Sequence, residues 1–351
     1  MPLQPTQKDI ARELGVSIMT VSLALRNSPR LSAATRKRVA EASARMGYQI
    51  NPYVRAFVIQ HRRGKTLRHR LPLALLNLWN PPSFWKKGCW CRKMHEGFVK
   101  RAGELGYSID EIAVRAPGMT SRRVDQILKH RGIRGVLVTP SPNSHSHLTL
   151  DWQHYAATVA GFTLRRPNLH RVTSNPVQAM QLTLHHLKHS GYRRIGLRIG
   201  SYTERSVDGG WTYPMLQYQL QMPNKERVPI LYHDCMNNER KDRKEFLAWV
   251  KRHRPEVVVG LGHTMFAWLA GAGYAVPGDI GLVQLNWDEE LCKSAGVELT
   301  GMSNENLQIG MRSIDLVVSQ LEHNEYGIPG SPTHTMVTPR WIPGKTIHRR
   351  S

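Results

Sequence analysis

Short hydrogen-bond donors and cations crowd one stretch near the start of the chain. Ser17, Thr20 and Ser22 are followed by Asn27, Ser28, Arg30, Ser32, Thr35 and Arg36, and Thr6 stands upstream. Without an acid/base pair or an activated nucleophile among them, such residues suit the gripping of phosphate oxygens rather than catalysis. The elements that must position them can be read from periodicity. Thr6 is a helix N-cap type, and Ile10, Ala11 and Leu14 form an apolar stripe behind it. Gly15-Val16-Ser17 breaks the run, with Ser17 as the next cap. A second helix over about residues 18–25 turns Val21, Ala24 and Leu25 inward. A third starts after Ser32, carries Val39, Ala42 and Met46 on one face, and stops at Gly47. Two short helices joined by a three-residue turn and braced by a third make a helix-turn-helix unit. Its helix N-termini add partial positive charge where the hydroxyls cluster.

Charge points the same way. The 351 residues carry 49 Lys and Arg against 26 Asp and Glu, a formal charge of +23. Residues 1–70 hold 14 basic and three acidic side chains, a net of +11, which leaves +12 for the rest. This excess implies a polyanionic partner, nucleic acid ahead of an acidic membrane surface. With no run of eighteen apolar residues, a membrane span is not expected. The first eight residues lack the apolar core of a signal peptide, so a cytoplasmic location is expected. Four cysteines make no disulfide scaffold, and Cys89 and Cys91 offer two ligands where structural zinc needs four. His185 and His189 have the i,i+4 spacing of metal ligands, but no HExxH pattern accompanies them, and solvated helix histidines are commoner. No P-loop, dinucleotide fingerprint or nucleophile elbow is present, so neither an enzyme nor a cofactor is expected.

The segments Thr6-Gln-Lys-Asp-Ile-Ala-Arg-Glu-Leu-Gly-Val-Ser17, Thr20-Val-Ser-Leu-Ala-Leu-Arg-Asn27, Leu31-Ser-Ala-Ala-Thr-Arg36 and Met46-Gly-Tyr48 together resemble the lactose-repressor (LacI) family of bacterial transcription regulators. The resemblance runs over residues 6–60 and implies that Ile18, Met19 and Leu23 face base edges. Family members often carry polar residues there. Three apolar side chains make no bidentate bonds to guanine or adenine. They can meet thymine methyl groups, which implies A·T pairs beneath the helix. Alternatively, readout shifts to Ser17, Thr20 and Arg26, and Leu23 packs against the hinge. Thr6, Ser22, Asn27, Arg30, Ser32 and Thr35 are the expected phosphate contacts.

Residues 51–60, opening with Asn51-Pro52, read as a short helix with Pro at N1, too short to be stable alone. In the family this segment folds on operator DNA and wedges the minor groove. The wedge position aligns with Phe57, with Arg55 beside it. An apolar wedge kinks the duplex at a cost of a few kcal/mol, which favours a flexible pyrimidine–purine step. A dimer contact by Phe57 is the alternative. Residues 61–70 are a basic linker.

From residue 71 the pattern alternates continuous apolar runs (71–79, 135–139, 157–162, 195–199, 257–261, 280–285) with helical stretches (92–105, 121–131, 177–189, 240–252, 264–272). Strands apolar throughout imply parallel sheets covered on both faces, and some 280 residues imply two lobes with a cleft at the strands' carboxyl ends. The expected fold is thus an all-α helix-turn-helix headpiece (1–50), a hinge helix and linker (51–70), and an α/β two-lobed core (71–351). The core of the family resembles periplasmic sugar-binding proteins. Ser190–Gly196, Val276–Ile280 and Gly310 match its pattern, with lobe 1 at about 71–164 and 299–327 and lobe 2 at about 168–296 and 331–351. Crossings are expected near 163–168, 296–303 and 326–333.

Family effectors, commonly sugars, would meet residues near Arg205 (or Val207, by the alignment to Gly209-Gly210-Trp211), Asn286 with Trp287, and Asn304. Trp79, Trp85, Trp90 and Trp287 fall near the expected cleft, where aromatic faces suit sugar rings; core packing is the alternative for each. The expected partners are therefore duplex operator DNA, a second copy of the chain, and a sugar-like effector. A nonspecific DNA binder, or a regulator without an effector, is the competing reading.

Overall fold

The computed structural model describes residues 7–25, 28–46, 48, 70–80, 82, 89–143, 145–234, 238–262 and 264–350. The expected hinge helix, with Arg55 and Phe57, lies outside the described residues, as do Thr6, Asn27 and Trp85.

The headpiece contains α1 (Gln7–Leu14), α2 (Ile18–Leu25) and α3 (Ala33–Arg45). Ile10 and Ala11 of α1, Val21 and Ala24 of α2, and Val39 and Ala42 of α3 close one small core, with Leu14, Val16, Leu25 and Met46 against it. The turn depends on Gly15, whose φ of 63° lies in the left-handed region where a side chain is strained. Two contacts tie distant ends together. Gln7 donates to the Tyr48 hydroxyl at 3.1 Å, and Arg45 pairs with Glu13.

In chain order the core then contains β1 (Leu71–Asn77), α4 (Cys89–Glu104), β2 (Tyr107–Ala113), α5 (Ser121–His130), β3 (Gly135–Val138), β4 (Ser146–His147), β5 (Ala156–Ala160), β6 (Leu164–Arg166) and β7 (His170–Ser174). It continues through α6 (Pro176–His189), β8 (Ile195–Gly200), α7 (Ser201–Ser206), α8 (Thr212–Leu220), β9 (Leu231–His233), α9 (Glu239–His253) and β10 (Val257–Gly260). It ends with α10 (Met265–Ala270), β11 (Gly281–Gln284), α11 (Glu289–Ala295), β12 (Thr300–Ser303), α12 (Asn306–His323), β13 (His334–Val337) and β14 (Arg340–Ile342).

Two six-stranded sheets result, ordered β13-β7-β5-β3-β1-β2 and β14-β12-β11-β10-β8-β9; β4 and β6 form a separate two-stranded ribbon. Neighbours in the two large sheets pair in parallel except β12 with β14. Each sheet buries both faces. In β1, Ala74 and Leu76 join one cluster while Leu73 and Leu75 join the other, and in β10 Val257 and Val259 oppose Val258 in the same way. Burial on both faces is why these strands read as unbroken apolar runs.

The chain passes between the sheets after Ser174, after Ser303 and after Val337, in each case beyond the expected crossings. Residues 170–174 and 334–337 thus belong to the first sheet and 300–303 to the second. These strands are short and polar, which conceals them from a search for apolar runs. Among the described residues no helix is long and apolar enough to cross a membrane.

Candidate functional site

In the headpiece, α2 begins with a hydroxyl cap. Ser17 Oγ accepts the Thr20 N–H at 3.0 Å and lies 2.9 Å from the Thr20 hydroxyl. Capping uses the side chain that the helix start would otherwise lend to a ligand, so Ser17 and Thr20 hold the helix entry as well as lining it. Ile18 and Met19 stand out from the same turn, 49% and 65% exposed. Exposure of two large apolar side chains at a helix start is costly in water and suits a surface that is covered on binding. Leu23 and Ser22 are half-buried, so Leu23 faces the solvent only in part.

Ser32 repeats the cap at α3, accepting the Thr35 N–H at 3.1 Å, with the two hydroxyls 2.8 Å apart. Ser32 and Arg30 are exposed and Thr35 is half-buried. Arg36 donates to the Ser28 carbonyl at 3.1 Å and braces the loop that carries Arg30. The structure therefore brings Ser17, Ile18, Met19 and Thr20 together on one turn.

The two lobes meet through named contacts. Arg165, on β6, donates from both terminal nitrogens to Asp208, at 2.8 and 2.6 Å, and the Tyr202 hydroxyl donates to the Ser141 carbonyl at 3.2 Å. The hydrogen bond from Arg165 holds the Asp208 carboxyl below the usual carboxylate range, although Asp208 is well exposed. Beside this contact lies a cavity of about 420 Å³ lined by His145, Glu204, Arg205, Asp208, Gly209, Thr212, Tyr213 and Tyr232. Its walls come from the segment leading into β4, from α7 and the start of α8, and from β9, at the carboxyl end of β8. That is where a doubly wound sheet presents its ligands.

Arg205, expected from the sequence, lines the cavity and is exposed. Val207, the alternative from the alignment, packs against the second lobe's core. Asn286 and Asn304 form a separate polar knot. Asn304 Nδ2 donates to Asn286 Oδ1 at 3.0 Å and to the Leu285 carbonyl at 3.2 Å, and Asn306 donates to the same Asn286 oxygen at 3.4 Å. This knot sits at the crossing from β12 to α12, outside the cavity lining.

Trp287 departs from the expected role. Its indole N–H donates to the Leu299 carbonyl at 2.8 Å and its half-buried ring packs against the core beneath α9 and α10, which is the core-packing alternative. Trp79 likewise packs against the first lobe's core.

Several site residues escaped the sequence reading. Glu204, Tyr213, Tyr232 and His145 carry no periodic signal, and only the neighbouring Gly209-Gly210-Trp211 marks the place. Gly209, at φ 82°, lies under the Tyr213 ring, where a Cβ would come within 2.3 Å of a ring carbon. In the same lobe Arg198, 3% exposed, approaches His233 Nδ1 at 3.2 Å and Asp242 at 3.4 Å, between Phe246 and Trp268. Burial, with the Arg198 charge adding to it, pushes the His233 imidazole down to about 4.

Two family models match the chain. Residues 6–51 match bacterial regulatory proteins of the lacI family, and residues 184–347 match the periplasmic binding protein-like domain. No curated protein matches the chain in sequence. Among solved structures, a complex of the transcriptional regulator CelR with cellobiose is 18% identical with a TM-score of 0.58, covering 97% of this chain and 99% of its own. The lac repressor dimer bound to operator and the anti-inducer ONPF is 17% identical with a TM-score of 0.57, covering 98% and 99%. A LacI-family regulator from Enterococcus faecium with bound ribose is 13% identical with a TM-score of 0.58, covering 80% and 100%. At these identities the structural likeness speaks for the fold: a helix-turn-helix headpiece and a two-sheet core. The chain thus joins a headpiece similar to the lacI family of bacterial regulatory proteins to a core similar to the periplasmic binding protein-like domain.

Proposed function

We propose that the chain is a transcriptional regulator, acting as a repressor, that binds a near-palindromic duplex operator as a homodimer in the cytoplasm. A small-molecule effector, a carbohydrate or a derivative of one, binds between the lobes and controls it. The observation that carries this reading is the exposed start of α2, where Ile18 and Met19 project beside the Ser17 cap in a headpiece that matches the lacI family. Two copies of that helix would enter successive major grooves about one helical turn apart, each held by phosphate contacts from Ser22, Arg30, Ser32 and Thr35. Thr6 and Asn27 would add to them, and Arg55 and Phe57 would reach the minor groove.

The effector reading is supported by the cavity between the lobes and by relatives of the same fold described with cellobiose, ribose and an anti-inducer. A ligand shifts the DNA-binding equilibrium only through different affinity for its two states, so an effector must contact both lobes unequally in the open and closed forms. Asn286 and Asn304, at a crossing, are placed to sense such closure.

The test measures operator affinity of the full chain with and without each member of a sugar library, after selecting the operator from random duplex DNA. A sugar that changes operator affinity by at least about fivefold, the lower end of typical coupling, supports the reading. Failure to select any DNA sequence refutes it.

A further inference from the structure

We propose that the interlobe cavity takes a small molecule carrying a protonated amine, and that Glu204 selects it; this deepens the reading that the cavity holds the effector. Glu204 is 8% exposed and lines the cavity. Its Oε1 accepts the Thr212 N–H at 2.8 Å, while its Oε2 is buried without a hydrogen-bond partner among the described residues. The nearby Arg165 is committed to Asp208 through both terminal nitrogens.

A carboxylate oxygen withdrawn from water and left without a donor is strongly unfavourable, so the site is incomplete as it stands. A neutral hydroxyl would supply one hydrogen bond but no countercharge. A protonated amine supplies the bond and the countercharge together, in a charge-assisted contact about twice as strong as a neutral one. Tyr213 and Tyr232 stand in the same wall, and aromatic rings attract ammonium groups. Gly209 lets the Tyr213 ring lie directly on the backbone, which fixes one of these rings. Arg205 in the same lining is a like charge that Glu204 must outweigh, while the rest of the chain's +23 lies farther off and is screened beyond about 8 Å at physiological ionic strength. Contact chemistry therefore decides. The cavity volume of about 420 Å³ suits an amino sugar or a small polyamine.

The experiment uses the full chain and matched probes: D-glucosamine against D-glucose, D-galactosamine against D-galactose, and putrescine against 1,4-butanediol. Calorimetry is expected to show at least one amine binding about tenfold or more tighter than its neutral partner, a charge-pairing difference near 1.4 kcal/mol. Glu204→Gln keeps an acceptor for the Thr212 N–H and should erase that preference. Tyr213→Ala, at a side chain 65% exposed and so removable without unfolding the lobe, should weaken amine binding several-fold. The proposal is overturned if no amine binds, if neutral partners bind as tightly, or if the preference survives in Glu204→Gln. Operator affinity measured alongside separates the two readings. An amine that binds through Glu204 without changing operator affinity sinks the effector role and keeps the site. A neutral sugar that changes operator affinity equally in wild type and Glu204→Gln does the reverse.

Discussion

Two glycines on one helix predict opposite outcomes for the same substitution. Gly97 and Gly103 both lie in α4, which packs along α12 in the first lobe. A Cβ on Gly97 would stand 2.2 Å from the Leu307 carbonyl oxygen and 3.1 Å from the Gly310 Cα, all of it backbone. Ordinary contact needs about another ångström, and no rotamer change can provide it, so the helices must part. Such overpacking costs about 1–3 kcal/mol. Rigid backbone at both Leu307 and Gly310 of α12 places Gly97→Ala at the upper end of that range. Alanine regains about 1 kcal/mol of helix propensity, which leaves a net loss of about 2 kcal/mol. At Gly103 a Cβ would meet only the Arg70 guanidinium at 3.5 Å, an ordinary contact. Gly103→Ala should therefore stabilise the lobe by up to about 1 kcal/mol, less so because the position is in the last turn. Urea denaturation of the full chain, followed by near-ultraviolet circular dichroism of the core, gives both values. Equal shifts, or a stabilised Gly97→Ala, would refute the close-packing argument.

Further outcomes follow from the capped helices, the buried imidazole and the hinge. Ser32→Ala removes the acceptor for the Thr35 N–H and should cost the headpiece about 1 kcal/mol, read from its thermal transition; an unchanged transition would mean that water serves the cap equally well. His233 has a folded pKa below its unfolded value, so its neutral form is favoured in the native state. Stability from this group is complete above about pH 6.5 and falls as pH drops toward about 4. Melting temperature against pH should be steeper over that window in wild type than in His233→Asn, and identical slopes would dismiss the buried imidazole as the cause. By the family resemblance, Phe57→Ala should weaken binding to a selected operator far more than to random duplex; similar losses on both would remove its wedge role.

Much of the fold was legible because the strongest strands are buried on both faces. Runs such as 257–261 admit only apolar side chains, and a cap such as Ser32 announces the start of its helix. What was missed has a physical reason. Residues 170–174 form a strand between two neighbours, yet two of its buried side chains are polar and satisfied laterally. Arg171 donates to the Leu164 carbonyl at 3.1 Å, and the Thr173 hydroxyl lies 2.6 Å from the His334 ring. Hydrogen bonds between elements leave no mark in hydropathy, and three lobe crossings were placed too early for that reason. At the site, Arg205 was named for its nearness to the position at which motif alignment put Val207, whereas the adjacent Glu204 gave no signal. Its importance comes from burial and a missing donor, which only the packed structure reveals. Trp287 shows the converse case, in which the packing alternative left open for each tryptophan applies. An aromatic near a strand end suggests a sugar platform, but its N–H is satisfied twelve residues onward, at Leu299, inside the core.

The +23 charge attracts any duplex, so affinity for DNA alone does not distinguish a sequence reader from a general binder. The decisive quantity is the ratio of affinities for a selected palindrome and for random duplex of equal length, measured with the full chain across a range of salt. The account predicts a preference of at least about 1,000-fold near physiological salt, with a slope on both DNAs reporting phosphate contacts. It also predicts that Met19→Ala, at an exposed side chain that caps nothing, reduces the preference while leaving the random-duplex affinity in place. Equal affinity for both DNAs at every salt concentration would contradict the claim that α2 reads sequence.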